Sequence, residues 1–258
     1  MLREGANGAI DQVLAHFAAE GYARLGPVMT NDALAALRRR TDDLMMGKIS
    51  YPNLFFQLDT ETGSYDDLTF GRGYEGPSLD YRKIEKLEKD DLFLAWIRNA
   101  LFERIARSLI SGPIALYRAV LMSKGSRGGT VLPWHQDGGL FWGLDRDPIL
   151  QIWTALDDAP EEAGCVEVLP RSHLAGLATP LGGVVPEAHV RRCQANDQRF
   201  ALPAAAGEAI LLHNHLWHRS LVNRTGRTRR AFSVCYMSAE TRCTRKKRSP
   251  REFFGVFS

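Results

Sequence analysis

Two histidines and one aspartate carry the first chemical signal in this chain. His135-Gln136-Asp137 follows the apolar run TVLPW and precedes two glycines. In an extended strand, residues two apart point to the same side, so His135 and Asp137 can offer an imidazole and a carboxylate to one ion. Among seven histidines, His218, at the end of HNHLWH, is the best third ligand. Two imidazoles and a carboxylate on one face of an octahedron leave three positions open. That suits iron(II) centres, which must admit a co-substrate and O2. A lone His-x-Asp arises often by chance, but the residues after His218 add weight. Ser220 lies two positions on, and Arg229 opens the strand RRAFSVCYM. A 2-oxoglutarate molecule chelating iron sends its far carboxylate away from the metal, where a forked cation and a hydroxyl are needed. Arginine supplies two parallel hydrogen bonds to a carboxylate, which lysine cannot. Arg230 is the poorer choice, because it points to the opposite face of the same strand.

These residues need a rigid frame. From Ile114 onward, short β-rich runs succeed one another between turn residues: IALYRAVLM, ILQIWTAL, CVEVL, AILLH and RAFSVCYM. Such a series predicts a sandwich or barrel rather than a βαβ sheet. The first half reads as helices around one short strand. IDQVLAHFAAEG has helical spacing and stops at Gly21, YARLGPVM reads as a strand, and Thr30 and Asn31 can cap a helix that stops at Gly47. Residues 83–111 look helical again. The stretch from about 48 to 82 has no period and is long for a loop, so it is expected to cover a site. The expectation is one mainly-β domain over 1–258: helices to about 112, a jelly-roll core over about 113–240 and a basic tail over 241–258.

Composition narrows the class. The hydrophobic fraction of 45% and charged fraction of 24% are ordinary for a globular protein. No apolar run approaches a membrane span, and the N-terminal residues hold no apolar signal core, so a cytoplasmic location is expected. Cys165, Cys193, Cys235 and Cys243 form no CxxC pair and are expected to be reduced thiols. A net charge of +3 gives no reason to expect a nucleic-acid partner. Basic residues crowd the end of the chain at Arg242, Arg245, Lys246, Lys247, Arg248 and Arg251. They are expected to be a solvated tail, with an anion-binding flank as the other reading.

Four blocks, in order, resemble the phytanoyl-CoA dioxygenase family: FAAEGYARLGPVMTNDALAALRRR, LPWHQDGG, QIWTALDDAPEEAGCVEVLPRSH and HNHLWHRSLVNRTGRTRRAFSVCY. The resemblance spans roughly residues 10–240 and implies a double-stranded β-helix, a cupin-like jelly roll. It also implies iron(II), with 2-oxoglutarate and O2 as co-substrates. By the same resemblance, His135, Asp137 and His218 match the iron ligands, Arg229 the arginine on the 2-oxoglutarate carboxylate, and Ser220 the hydroxyl beside it. Trp153 and Thr154 fall in the family's W-[ST]-A-L block beside the co-substrate, with Thr154 the better candidate for contact. Arg171 stands where the family usually has Gly, which implies a different turn or an added cation near the site. Halogenating relatives replace the iron-ligating carboxylate with a small residue. Asp137 retains it, so hydroxylation or a related oxidation is expected.

Gln136, Phe141 and Trp142 lie beside the ligands and are candidate substrate contacts. Arg127, Arg146, Arg171 and the basic tail hint at an anionic small-molecule substrate. His213 and His215 read as core or supporting histidines, and His16, His173 and His189 as structural. GSRGG (125–129) neither follows a strand nor opens a helix as a phosphate loop would, and reads as a loop. The alternative is a metal-dependent jelly-roll oxidase or isomerase that does not use 2-oxoglutarate; it leaves Arg229 and Ser220 without a purpose.

Overall fold

The computed structural model describes residues 3–71, 73–246 and 251–258. The chain begins with α1 (Arg3–Glu20), β1 (Tyr22–Pro27) and α2 (Asn31–Met45), followed by β2 (Phe55–Leu58) and β3 (Tyr81–Glu85). Helices α3 (Asp91–Ile97) and α4 (Ala100–Leu109) lead into β4 (Ile114–Lys124) and β5 (Leu132–Gln136). Then come β6 (Leu150–Ala155), β7 (Val166–Val168), β8 (Gly183–Val184), α5 (Glu187–Arg192) and β9 (Phe200–Leu202). The chain closes with β10 (Glu208–His213), β11 (His218–Ser220), β12 (Arg229–Ser238) and β13 (Phe254–Phe257).

Local chemistry sets several of these boundaries. Thr30 caps α2 by accepting from the Ala33 N–H, and Asp90 caps α3 by accepting from Leu92 and Phe93. Gly21 and Gly47 follow α1 and α2 at φ 85° and 71°, where a residue without Cβ is favoured.

Two antiparallel sheets face each other. The larger runs β1-β10-β6-β12-β4-β3-β2, with β13 also on β4, and the smaller runs β8-β5-β11-β7-β9. Strand alternation divides the larger sheet's side chains between two cores. Ile152, Leu211, Phe232, Val234 and Tyr236 pack outward against the helices, joining Phe17, Leu37, Phe93 and Ile105. Trp153, Ile210, Leu212 and Ala231 face inward against Val166, Val168 and Leu202 of the smaller sheet. This is the expected jelly roll, with the helices on one outer face. Among the described residues, no helix is long and apolar enough to cross a membrane.

Three expectations are corrected. The 48–82 stretch is not all irregular, because β2 lies within it and β3 begins there. Residues 83–85 belong to β3, not to a helix. The C-terminal segment is not simply a solvated tail: β13 pairs with β4, and the Arg251 guanidinium donates to the Tyr117 carbonyl and lies over its ring. Lys247 and Arg248 lie outside the described residues.

Candidate active site

The smaller sheet brings the three ligand candidates together. β5 and β11 pair antiparallel with His135 directly opposite His218, and their ring centroids are 4.0 Å apart. Asp137 follows β5, its N–H held by the Asn214 carbonyl at 2.8 Å. Ligand atoms of His135, Asp137 and His218 all lie within 4.8 Å of one another. Each imidazole is tied through Nδ1 to a backbone carbonyl, His135 to Pro133 and His218 to Leu216, both at 2.9 Å. A carbonyl can only accept, so Nδ1 carries the proton and the Nε2 lone pair is left for a metal. Burial, helped by His218, pushes the His135 pKa down to about 3, which keeps the ring neutral. Burial works against the Asp137 carboxylate, but Arg118 and the hydrogen bond from Gln151 hold it below the usual carboxylate range. The donor set is thus two imidazoles and one carboxylate, which fits a divalent iron site.

Asp137 Oδ2 accepts from Arg118 Nη2 at 3.0 Å and from Gln151 Nε2 at 2.5 Å. The Arg118 guanidinium also lies 4.8 Å from the Trp142 ring centroid, and Trp142 stacks on Tyr117 at 4.0 Å. The double glycine after Asp137 is a steric requirement. Gly138 and Gly139 sit at φ 151° and 74°, and a Cβ on Gly138 would lie 2.9 Å from the Asp147 carboxylate. Asp147 accepts from the Gly139 N–H at 2.9 Å and contacts His215 Nε2 at 2.9 Å. His215 therefore braces the loop beside the ligands, and His213 packs against Phe17 and His173.

A cavity of about 420 Å³ opens from the three ligands between the two sheets. Arg229, Ser220 and Trp153 line it. Arg229 is buried, donates through Nη2 to the Gly164 carbonyl at 2.7 Å, and leaves Nε without a partner. Burial draws its pKa down to about 10, so it remains a cation. A buried guanidinium with an unused donor facing a cavity fits the carboxylate of 2-oxoglutarate. Arg230 turns the other way, to Asp157 and Asp42.

Several residues fall elsewhere than expected. Thr154 does not reach the cavity: it lies on the outer face of β6, where its hydroxyl accepts from Trp96 Nε1 at 3.3 Å. Trp153, its neighbour on the inner face, takes the place instead. The Gln136 amide is consumed by backbone, donating to Gly176 and His215 carbonyls and accepting from the Ala178 N–H. Gln136 does line the cavity as expected, but both of its amide N–H donors are committed to fastening the loop. Arg171 occupies a left-handed turn at φ 68° and reaches Glu20 at 3.9 Å. Gly suits such a turn, and the turn is kept here without placing a cation at the cavity. Arg127 and Arg146 pair with Asp80 and Glu240 and do not line the cavity either.

Phe141 and Trp142 do line it, as do Phe55, Tyr65 and Phe70 of the 48–82 stretch, while Phe56 and Tyr74 pack together away from it. Sequence reasoning missed Arg118, Gln151, Lys124, Arg82 and Lys83, all of which line the cavity. The available signal was a charged or polar residue interrupting an apolar strand, as in IALYRAVLM and ILQIWTAL.

The family model for phytanoyl-CoA dioxygenase (PhyH) matches residues 17–231. The chain belongs to the phytanoyl-CoA dioxygenase family. With the site's geometry, membership makes it an enzyme of the non-haem iron, 2-oxoglutarate-dependent oxygenase type, with iron(II) as its metal and 2-oxoglutarate and O2 as co-substrates. Phytanoyl-CoA dioxygenase domain-containing protein 1 of Danio rerio is 24% identical over 89% of this chain and 90% of its own length. L-proline trans-4-hydroxylase of Streptomyces griseoviridis is 26% identical over 57% of this chain and 63% of its own length. Among solved structures, the epimerase SnoN in complex with Fe3+, alpha ketoglutarate and nogalamycin RO superposes with a TM-score of 0.74. It is 16% identical, over 98% of this chain and 96% of that one. EctD from S. alaskensis with 2-oxoglutarate and 5-hydroxyectoine superposes with a TM-score of 0.70 at 21% identity, over 90% of this chain and 77% of that one. At such identities these structures show a shared fold.

Proposed function

We propose that the chain hydroxylates an unactivated C–H bond of a small-molecule metabolite that carries an anionic group. His135, Asp137 and His218 are its iron ligands, Arg229 and Ser220 anchor the far carboxylate of 2-oxoglutarate, and Trp153 walls that pocket. The observation that carries the reading is the buried, under-used Arg229 facing the same cavity as two imidazoles with tied Nδ1 atoms and a charged Asp137. A metal site that did not use 2-oxoglutarate would have no need of Arg229.

Iron(II) with 2-oxoglutarate and O2 supplies an oxidant strong enough for an unactivated C–H bond and releases succinate and CO2. The protein's part is placement. Backbone carbonyls fix both imidazole tautomers, while Arg118 and Gln151 fix the carboxylate. Trp142 and the aromatic residues from the 48–82 stretch limit water around the reacting carbon. The anionic class rests on Arg82, whose guanidinium lines the cavity with the neutral Gln57 amide as partner at 2.7 Å. Phe55, Tyr65, Phe70 and Phe141 offer apolar surface for the rest of the substrate.

Anaerobic titration of iron(II)-loaded protein with 2-oxoglutarate tests the first part. A visible metal-to-ligand charge-transfer band is expected, lost in His135→Ala and Arg229→Leu. Iron binding with no band would sink the co-substrate assignment. A panel of carboxylated and phosphorylated metabolites, followed by succinate release and product mass, tests the second. Turnover without a product one oxygen heavier would remove hydroxylation.

A further inference from the structure

The inner face of the larger sheet holds a second basic side chain beside Arg229. Lys124 and Arg229 are register partners across β4 and β12. Cross-strand partners point to the same side with Cβ atoms ~5 Å apart, and like charges so placed repel. Both are buried, at 4% and 3% exposure. Their hydrogen-bond partners are neutral: Lys124 Nζ donates to the Thr130 carbonyl at 2.6 Å, and Arg229 donates to Gly164. Among the described residues, neither forms an ion pair. Charging both of these buried groups face to face is costly unless an anion lies between them, and both line the cavity.

We propose that Lys124 and Arg229 together grip the distal carboxylate of 2-oxoglutarate, one from each strand. This rests on the co-substrate reading of Arg229 and adds a positioning residue with a consequence of its own. Three charged groups act on the Lys124 amine: Arg229 from β12, Arg82 from β3, and Asp59 just after β2. Only Asp59 favours the ammonium, and its carboxylate is already engaged by the Thr130 N–H and hydroxyl. Burial, then Arg229, then Arg82 draw the Lys124 pKa down to about 6, so at neutral pH the amine is largely unprotonated. A carboxylate arriving between the two side chains reverses that balance. Nζ then takes a proton from the buffer and becomes an ammonium, so co-substrate binding is coupled to proton uptake above about pH 6.

Calorimetry on the anaerobic, iron(II)-loaded protein tests this at pH 7.5 in phosphate and in Tris, buffers of different ionisation enthalpy. The 2-oxoglutarate heats should differ by an amount equivalent to nearly one proton taken up per molecule bound. Lys124→Met should abolish that difference and weaken binding by roughly 10–100-fold, the loss of one charge-assisted contact. For 2-oxobutyrate, which lacks the distal carboxylate, the buffer difference should be absent, and wild type and Lys124→Met should bind alike. Equal heats in both buffers for the wild type overturn the proposal without any variant having to fold. So does a Lys124→Met protein that binds 2-oxoglutarate within twofold of wild type. If iron binds but 2-oxoglutarate does not, or if Arg229→Leu binds it unchanged, the co-substrate reading itself fails and the proposal falls with it.

Discussion

At Asp137 one carboxylate oxygen takes hydrogen bonds from two strands, Arg118 on β4 and Gln151 on β6. These donors hold the group charged and fix its orientation toward the two imidazoles. Partners behind a metal ligand typically control 10–100-fold in metal affinity. Arg118→Leu should therefore weaken iron(II) binding by about 10–100-fold in an anaerobic titration, and unchanged affinity would show that the ion pair is incidental. Arg171 offers a stability test remote from the cavity. Its left-handed backbone costs an L-residue roughly 1 kcal/mol, and its ion pair with Glu20 is long and exposed. Arg171→Gly should raise unfolding stability by roughly 0.5–1 kcal/mol in a urea titration, with iron binding unchanged.

The β2–β3 hairpin and the segment between its strands form the element that covers the cavity. Pairing of β3 with β4 places Arg82 and Lys83 at the cavity wall, and Phe55 on β2 packs edge-on against Phe70. Phe70 is 85% exposed although it lines the cavity, so it contributes little to the folded state. Phe141 projects from the loop after β5 and is 62% exposed. Large apolar groups left in water at a cavity mouth mark a surface suited to binding, and on the proposed function they would meet the substrate. Phe70→Ser should leave unfolding stability within about 0.5 kcal/mol and raise the KM for the organic substrate, while 2-oxoglutarate affinity stays constant. A fall in thermal stability with no change in KM would assign the ring to the fold instead.

Across the whole molecule, the helices cover the outer face of the larger sheet while the smaller sheet closes the inner face, and His213 lies at the helix side of β10. Its Nδ1 accepts from the His215 N–H at 3.1 Å, so the ring is neutral. Burial first, then His173 and His215, push its pKa down to about 3. In the unfolded chain a histidine titrates near 6.5. Between those values the unfolded state binds more protons than the folded one, so this contribution to stability is present above about pH 6.5 and is lost progressively as pH falls toward 3. The melting temperature should drop from pH 7 to pH 5. In His213→Asn, whose side-chain oxygen can still accept the His215 N–H, the drop should be smaller. Equal slopes would place the acid-sensitive group elsewhere.

The candidate ligand pair His135 and Asp137 was legible in the sequence because it depends on local geometry: a period of two puts both on one side of a strand, and pairing of β5 with β11 brings His218 to them. Arg229 was legible for the same reason, since the alternation of β12 separates it from Arg230. The strands after Ile114 were readable because each is a short apolar run between turns. Other features depend on partners distant along the chain. β2 and β3 became strands through pairing with each other and with β4, which the irregular 48–82 composition does not announce. β6 is buried on both faces, so its residues show no polar alternation, and nothing local indicated that Trp153 rather than Thr154 would face the cavity. The cations were read least well. Arg127, Arg146 and Arg171 found partners at the surface, whereas Arg118 and Lys124 came to the cavity inside an apolar strand. Whether a charge serves a site depends on which residues fold against it, and that is a property of the packed sheets.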